Sequence, residues 1–241
     1  MKVKQVKKEE LMPLVHLVNK LNFYIYVADR MQIVFLGNIG VGKTVLLKEL
    51  VNFFESSTVL QEPVNEWNEN GLLTNYRTKP EDFGFPLQVV VMSSLMRAWK
   101  SYDNQLASGE LKFLFQERDF KCSRYIFQKI LEKNNHLNIY QIQALNQLFM
   151  TFDSFYNSPD LYIYLTCSVE ICQKRCFDRG HTWDRDTTLD HLIAIDKNYN
   201  EYVKNLISEG ETVIKINAEH QCEEVVDNVK RCIKTWMKEN M

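Results

Sequence analysis

Glycine and proline are both scarce, with 8 and 5 copies in 241 residues, which argues against a chain built on long flexible linkers. No apolar run approaches the ~20 residues needed to cross a bilayer, so no membrane partner is expected. An excess of charge is missing as well: 29 Lys and Arg face 31 Asp and Glu, a net charge of −2. Such a chain has no global attraction to nucleic acid or to an anionic membrane, and any anion site must be built locally. None of the six cysteines (Cys122, Cys167, Cys172, Cys176, Cys222 and Cys232) forms a C-x-x-C pair. Cys172 and Cys176 are spaced to share a helix face, but no second ligand pair stands at a zinc-finger spacing, so zinc is not expected. The opening MKVKQVKKEE carries Glu9 and Glu10 and no Arg or Ser, unlike a mitochondrial presequence, and no secretory signal is evident. Reduced thiols in a cytoplasmic protein are the expectation.

A hydrophobic share of 45% and a charged share of 25% are ordinary for a globular protein, and the length suits one sizeable α/β domain. Leu11 to Leu21 has helical apolar spacing, and Phe23 to Val27 suits a short strand. Ile33 to Leu36 is a continuous apolar run ending at a glycine turn, the pattern of a buried parallel strand. A helix from Lys43 to Phe54 follows, and Thr58 to Leu60 leads into a turn at Glu62 to Val64. Helical spacing returns from Leu87 to Tyr102. Further strands are expected at Leu111 to Phe115 and Leu161 to Leu165, with helices at Ser123 to Glu132 and Ile139 to Phe155. Ser168 is placed to cap the helix after Leu165. Leu189 to Ile207 reads as a helix, Thr212 to Ile216 as a last strand, and Glu223 to Lys238 as a closing amphipathic helix. Strands separated by helices imply a parallel sheet covered on both faces. Residues 31–241 read as one domain, with 1–30 as an extension of unassigned role.

The segment Gly37-Asn38-Ile39-Gly40-Val41-Gly42-Lys43-Thr44 matches G-x-x-x-x-G-K-[ST] between a strand and a helix. Glycines there let the backbone turn its N–H groups onto phosphate oxygens, and the positive end of the following helix adds to that field. Lys43 is placed for the β and γ phosphates and Thr44 for Mg²⁺. A nucleoside triphosphate site is therefore expected. No N-K-x-D guanine motif accompanies it, nor the Asp-Glu strand end usual in ATP-driven motors.

Glu62 follows a short apolar strand in the run Glu62-Pro63-Val64-Asn65-Glu66-Trp67. A carboxylate fixed at a strand end can take a proton from an attacking hydroxyl, although a surface Glu beside a turn has the same local signature. Glu117 and Arg118 end another strand, where sheets of this type place ligands. The planar fork of an Arg there suits phosphate or carboxylate, and an ordinary salt bridge equally. Arg175 and Arg179 share a helix face just before Gly180, His181 and Asp184. Basic residues beside a glycine hinge can close over a transferring phosphate, or simply form a solvated helix end.

Taken in order, the phosphate loop, E-P-V-x-x-W, F-P-x-Q, E-R and R-x-x-x-R resemble the deoxyribonucleoside kinase family. That family includes deoxycytidine, deoxyguanosine and mitochondrial thymidine kinases, the insect multisubstrate kinase and, more distantly, herpesviral thymidine kinases. The resemblance runs from about Ile33 to Asn217. It implies the P-loop kinase fold: a central parallel five-stranded sheet, helices on both faces, an Arg-bearing lid, and a homodimer packed through helices. It implies that Glu62 is the general base toward a nucleoside 5′-hydroxyl, and that Trp67, Val91 and Phe127 line the base pocket. Gln88 would pair with the base edge through its amide. Glu117 would stand near Mg²⁺ with Thr44, Arg118 beside the 5′-oxygen and the phosphates, and Arg175 and Arg179 in the lid. Tyr76 and Asp184 would hold the deoxyribose 3′-hydroxyl.

Four positions depart from the family pattern, one of them Asp184, which stands where a Glu is usual. Asp119 stands where a Ser is usual and would add negative charge near the phosphates, His181 replaces a lid Arg, and Trp183 replaces a lid Glu. In the deoxycytidine and deoxyguanosine kinases an Arg–Asp pair reads the base. Leu95 and Ser123 hold those positions here, and without that charged pair the pocket resembles that of thymidine-accepting members. The resemblance thus implies Mg·ATP-dependent phosphorylation of a deoxyribonucleoside 5′-hydroxyl, with thymidine or another pyrimidine favoured. A nucleoside monophosphate kinase and a non-catalytic nucleotide-binding subunit of the same fold remain the alternatives.

Overall fold

The computed structural model describes residues 30–180 and 187–240. The expected elements between Leu11 and Val27, and the calls on His181, Trp183 and Asp184, lie outside them. Five strands form one sheet: β1 (Met31–Leu36), β2 (Ser57–Leu60), β3 (Phe113–Glu117), β4 (Leu161–Thr166) and β5 (Val213–Asn217). All neighbours are parallel and the order is β2-β3-β1-β4-β5, as the helix-separated strands implied. The principal helices are α1 (Lys43–Phe53), α2 (Val64–Trp67), α3 (Leu72–Thr78), α4 (Pro80–Ser108), α5 (Lys129–Lys133), α6 (Ile139–Asp153), α7 (Val169–Arg179), α8 (Leu189–Ser208) and α9 (Cys222–Asn240).

Every residue of β1 is buried, because successive side chains point to opposite faces and both faces are covered. Met31, Ile33 and Phe35 pack with Leu46, Leu47 and Leu50 of α1 and with Val229 and Ile233 of α9. Val34 and Leu36 pack with Ile195, Tyr199 and Val203 of α8. A third cluster holds α4 against β2 and β3 through Leu87, Met92, Leu95, Trp99, Leu60 and Leu114.

Several elements differ from the sequence expectation: β3 lies two residues beyond the expected Leu111 to Phe115, and α2 and α3 match no expected element. Helix α4 begins at Pro80 and continues through Pro86, although a proline removes one helical hydrogen bond and crowds the preceding turn. The cluster around Leu87, Met92 and Trp99 supplies tertiary packing that local propensity does not report. The expected helix from Ser123 to Glu132 opens as a π-helical turn over Ser123–Gln128 before α5. Apolar spacing does not separate i→i+5 from i→i+4 bonding, and Asn198 of α8 donates to the Ile126 carbonyl within that turn at 2.9 Å. Ser168 does stand at the N-cap of α7, but its side chain makes no capping bond. Its backbone N–H donates instead to Glu219 Oε1 at 2.7 Å.

Strand order places the site. The chain leaves β1 for β2 on one side of the sheet and later returns to β4 on the other, so a crevice opens beyond the carboxyl end of β1.

Candidate active site

The loop after β1 enters α1 through Gly42, whose φ of 109° puts it in left-handed territory. Lys43 folds back over the loop, its Nζ donating to the carbonyls of Gly37 and Asn38 at 2.9 Å each. Burial lowers the Lys43 pKa, and the Arg118 charge adds to the fall against Glu117 and Glu62. Asn38 ties the loop to α8: its Oδ1 accepts from the Ile39 N–H at 2.8 Å and its Nδ2 donates to the Leu192 carbonyl at 2.9 Å. Gly37 and Asn38 thus shape the loop, while Ile39, Gly40, Val41, Gly42, Lys43 and Thr44 border a cavity of about 1110 Å³.

Two acidic strand ends converge on this cavity. The Thr44 hydroxyl lies 3.0 and 3.2 Å from the carboxylate oxygens of Glu117, at the tip of β3. Glu62, just beyond β2, is in direct ion-paired contact with Arg118, and both side chains are about nine-tenths buried. Burial pushes the Glu62 carboxyl above its ordinary value, with Arg118 opposing and Glu117 reinforcing the rise. Burial also works to lower the Arg118 pKa, but the Glu62 charge overrides it and keeps the guanidinium protonated. Arg118 Nε and Nη1 are buried without a hydrogen-bond partner, and the guanidinium carbon sits 4.7 Å from the Phe127 ring centroid. Arg118 also has φ of 54°, a left-handed conformation that costs a side-chain-bearing residue about 1–3 kcal/mol.

The far end of the cavity is apolar with a few polar atoms. Trp67, Tyr76 and Leu95 line it with Gln88, Val91 and Ser123. The indole Nε1 of Trp67 donates to Ser94 Oγ at 2.7 Å, and Ser94 Oγ donates to the Val91 carbonyl at 3.0 Å, which fixes the ring. Gln88 is 3% exposed and its Oε1 has no hydrogen-bond partner. A buried amide oxygen left unpaired costs about 1–3 kcal/mol, so this atom is a strong candidate to meet a ligand donor.

Arg175 and Arg179 both border the cavity from α7. The Arg175 guanidinium is engaged with backbone, donating to the carbonyls of Val41 at 3.1 Å and Ala218 at 3.0 Å. It therefore braces the phosphate loop against the end of β5. Asp119 also borders the cavity, but its carboxylate is engaged by neighbouring donors. One carboxylate oxygen accepts from the Cys122 N–H at 3.1 Å, and the other accepts from the Tyr202 hydroxyl at 3.4 Å. Burial raises its pKa. Asp119 is a cap on the turn that carries Ser123 and Phe127.

Other lining residues escaped the sequence reading. His220, between β5 and α9, and Cys222, Val225 and Val226 in the first turns of α9 border the cavity, as do Arg77 and His191. No motif spacing marks them, since they join the site only through strand order.

A glycine-rich loop closed by Lys43, a Thr–carboxylate pair and a buried Glu–Arg pair facing one crevice define the site of a P-loop phosphotransferase. The deoxynucleoside kinase domain model matches residues 33–239, and the chain belongs to that family. It is 26% identical over 186 residues to deoxycytidine kinase of Homo sapiens, covering 65% of this chain and 68% of that one. A Fowlpox virus protein named as a probable deoxycytidine kinase is 24% identical over 168 residues, covering 69% of each chain. As a member of this family the chain is a kinase that phosphorylates a deoxynucleoside from a nucleotide donor. Among the described residues no helix is long and apolar enough to cross a membrane.

Proposed function

We propose that this chain, through residues 31–241, transfers the γ-phosphoryl group of ATP to the 5′-hydroxyl of a pyrimidine deoxynucleoside, thymidine first and deoxycytidine second. The observation that carries the base assignment is the buried, unpaired Gln88 Oε1 in a cavity that Trp67, Val91, Leu95 and Ser123 also line. A carboxamide offers a donor and an acceptor side by side, the pattern that a pyrimidine edge presents. Leu95 and Ser123 add no charge to the pocket, and a serine beside the base leaves room for a 5-methyl group. The relatives named as deoxycytidine kinases support deoxycytidine as the second substrate.

Glu62 accepts the proton of the 5′-hydroxyl as the oxygen forms its bond to the γ phosphorus and the bridging oxygen leaves with ADP. Arg118 holds Glu62 in place with one nitrogen and offers Nε and Nη1 to the phosphoryl oxygens. Lys43 and Arg179 add positive charge, and Arg175 holds the loop that receives the donor. Positioning and charge stabilisation supply most of the acceleration in this chemistry. Tyr76, with Asp184, is assigned to the 3′-hydroxyl. Thr44 and Glu117 present hard oxygen donors at one point and would hold Mg²⁺ there. When bound, that ion neutralises charge developing on the phosphates.

A homodimer belongs to the same reading. Along α6 the exposed row Tyr140, Gln143, Ala144, Gln147, Met150 and Thr151 carries no charge, which favours contact with a like surface. A panel of the four deoxynucleosides at fixed ATP, run beside thymidine monophosphate, tests the assignment. Highest kcat/KM on thymidine supports it; preference for a purine nucleoside or for the monophosphate overturns it.

A further inference from the structure

Gln116 is a buried carboxamide on β3 to which phosphoryl transfer, as read above, gives no task. Strand alternation sends Glu117 toward Thr44 and Gln116 to the other face of the sheet, where Trp99 and Tyr156 pack together. There Gln116 Nε2 donates to the backbone carbonyl of Arg118 at 3.0 Å. Its Oε1 accepts from Gln32 Nε2 at 2.8 Å and from the Tyr156 hydroxyl at 3.4 Å. Gln32 is itself held from three sides. Its Nε2 also donates to the Tyr156 oxygen at 2.9 Å, its Oε1 accepts from Trp99 Nε1 at 3.4 Å, and its backbone N–H donates to Asp160 Oδ2 at 2.7 Å. A buried chain of hydrogen bonds thus runs from Trp99 through Gln32 and Gln116 to the backbone of Arg118.

Arg118 needs that support. The described non-glycine residues with positive φ are Ser56, Asn70, Arg118 and Asn135, and asparagine tolerates the left-handed region where a long side chain does not. The Arg118 N–H is bound to the Phe35 carbonyl at 3.2 Å, so both backbone polar groups of this residue are pinned, one by β1 and one by Gln116. Relaxing φ to the ordinary negative range would rotate the Cα–Cβ bond and re-aim the guanidinium that now meets Glu62 and covers Phe127.

We propose that Gln116 is a positioning residue for phosphoryl transfer: by holding the Arg118 carbonyl it keeps that backbone left-handed and the guanidinium against Glu62. The inference rests on Arg118 and Glu62 being the reactive pair. Gln32 and Tyr156 serve it indirectly, by keeping the Gln116 carboxamide from rotating so that its nitrogen faces Arg118.

The test is a double-mutant cycle in the full chain, with active sites counted by nucleoside binding. Gln116→Met keeps the volume and deletes the donor. It is expected to lower kcat per binding site about tenfold, the rate equivalent of one buried hydrogen bond, with both KM values moved less than about threefold. Arg118→Lys alone is expected to lower kcat at least ~10²-fold. In the Arg118→Lys background, adding Gln116→Met should change kcat less than about twofold, because its effect passes through the guanidinium. Losses that multiply in the double variant, or a Gln116→Met enzyme with unchanged kcat and only a lower Tm, would overturn the positioning role. Near-normal turnover by Arg118→Lys would instead remove the catalytic pair, and the positioning role with it. Should Gln116→Met not fold, Tyr156→Phe removes a single hydroxyl from the same network. It should show the same loss of effect beside Arg118→Lys on a smaller scale, about threefold, and multiplicative losses there would be equally fatal.

Discussion

Gly40 of the phosphate loop lies directly against the Cys172 carbonyl of α7. A Cβ on Gly40 would stand 2.3 Å from that oxygen and 2.8 Å from Cys176 Sγ, at φ of +81°. The helix bearing Arg175 and Arg179 is thereby seated on the loop. Gly40→Ala is expected to destabilise the fold by at least ~1–2 kcal/mol from the left-handed backbone alone, with the steric clash added. Gly42 has φ of +109° and nothing within 4 Å of a built Cβ, so Gly42→Ala should carry the backbone cost only. Thermal unfolding of the two variants separates the effects, and equal Tm losses would contradict the close-packing account.

Glu62→Gln is expected to reduce turnover at least ~10²-fold while leaving nucleoside binding largely intact. The carboxamide keeps the shape and a hydrogen bond to Arg118 but takes no proton at neutral pH. Turnover within a few-fold of the parent enzyme, measured with labelled ATP, would remove Glu62 from the role of base.

His191, beside Arg77 on the cavity wall, has its pKa pushed down from 6.5 to about 4, first by burial and then by the Arg77 charge. Between those values the unfolded chain takes up a proton and the folded chain does not. Stability from this group is therefore complete above pH 6.5 and is lost as pH falls toward 4, by up to roughly 3 kcal/mol. Urea unfolding at pH 7.5 and pH 5 should show the slope, and His191→Gln should flatten it. An unchanged slope in that variant would assign the acid sensitivity elsewhere.

Leu95 and Ser123 border the same cavity as Gln88. Introducing Leu95→Arg with Ser123→Asp restores the charged pair of the deoxycytidine and deoxyguanosine kinases. It is expected to lower kcat/KM for thymidine relative to deoxycytidine by at least ~10-fold, the range of a single pocket contact. A ratio that does not move would mean that the two positions do not read the base.

Much of the fold and the donor half of the site was legible because its signals are local. The run Ile33 to Leu36, the glycine loop and Lys43-Thr44 sit within a dozen residues, and an apolar run before a glycine turn has few other meanings. Glu62 and Glu117 were readable as strand ends that carry a carboxylate. The π-helical turn at Ser123–Gln128 was not, since its spacing imitates an α-helix. Arg175 was read for its charge, and only the carbonyls of Val41 and Ala218 show that it braces the loop.

The amino-acid sequence by itself determined the sequence of strands and helices, the phosphate loop and the family, because hydrophobic period and turn chemistry act over a few residues. Tertiary structure alone decided the strand order β2-β3-β1-β4-β5, which sets β3 between β2 and β1 and carries Arg118 to Glu62, 56 residues away along the chain. It also decided which polar residues serve the site from behind. Gln32 and Gln116 are 84 residues apart, and no local pattern records a hydrogen bond that only the pairing of two strands can form.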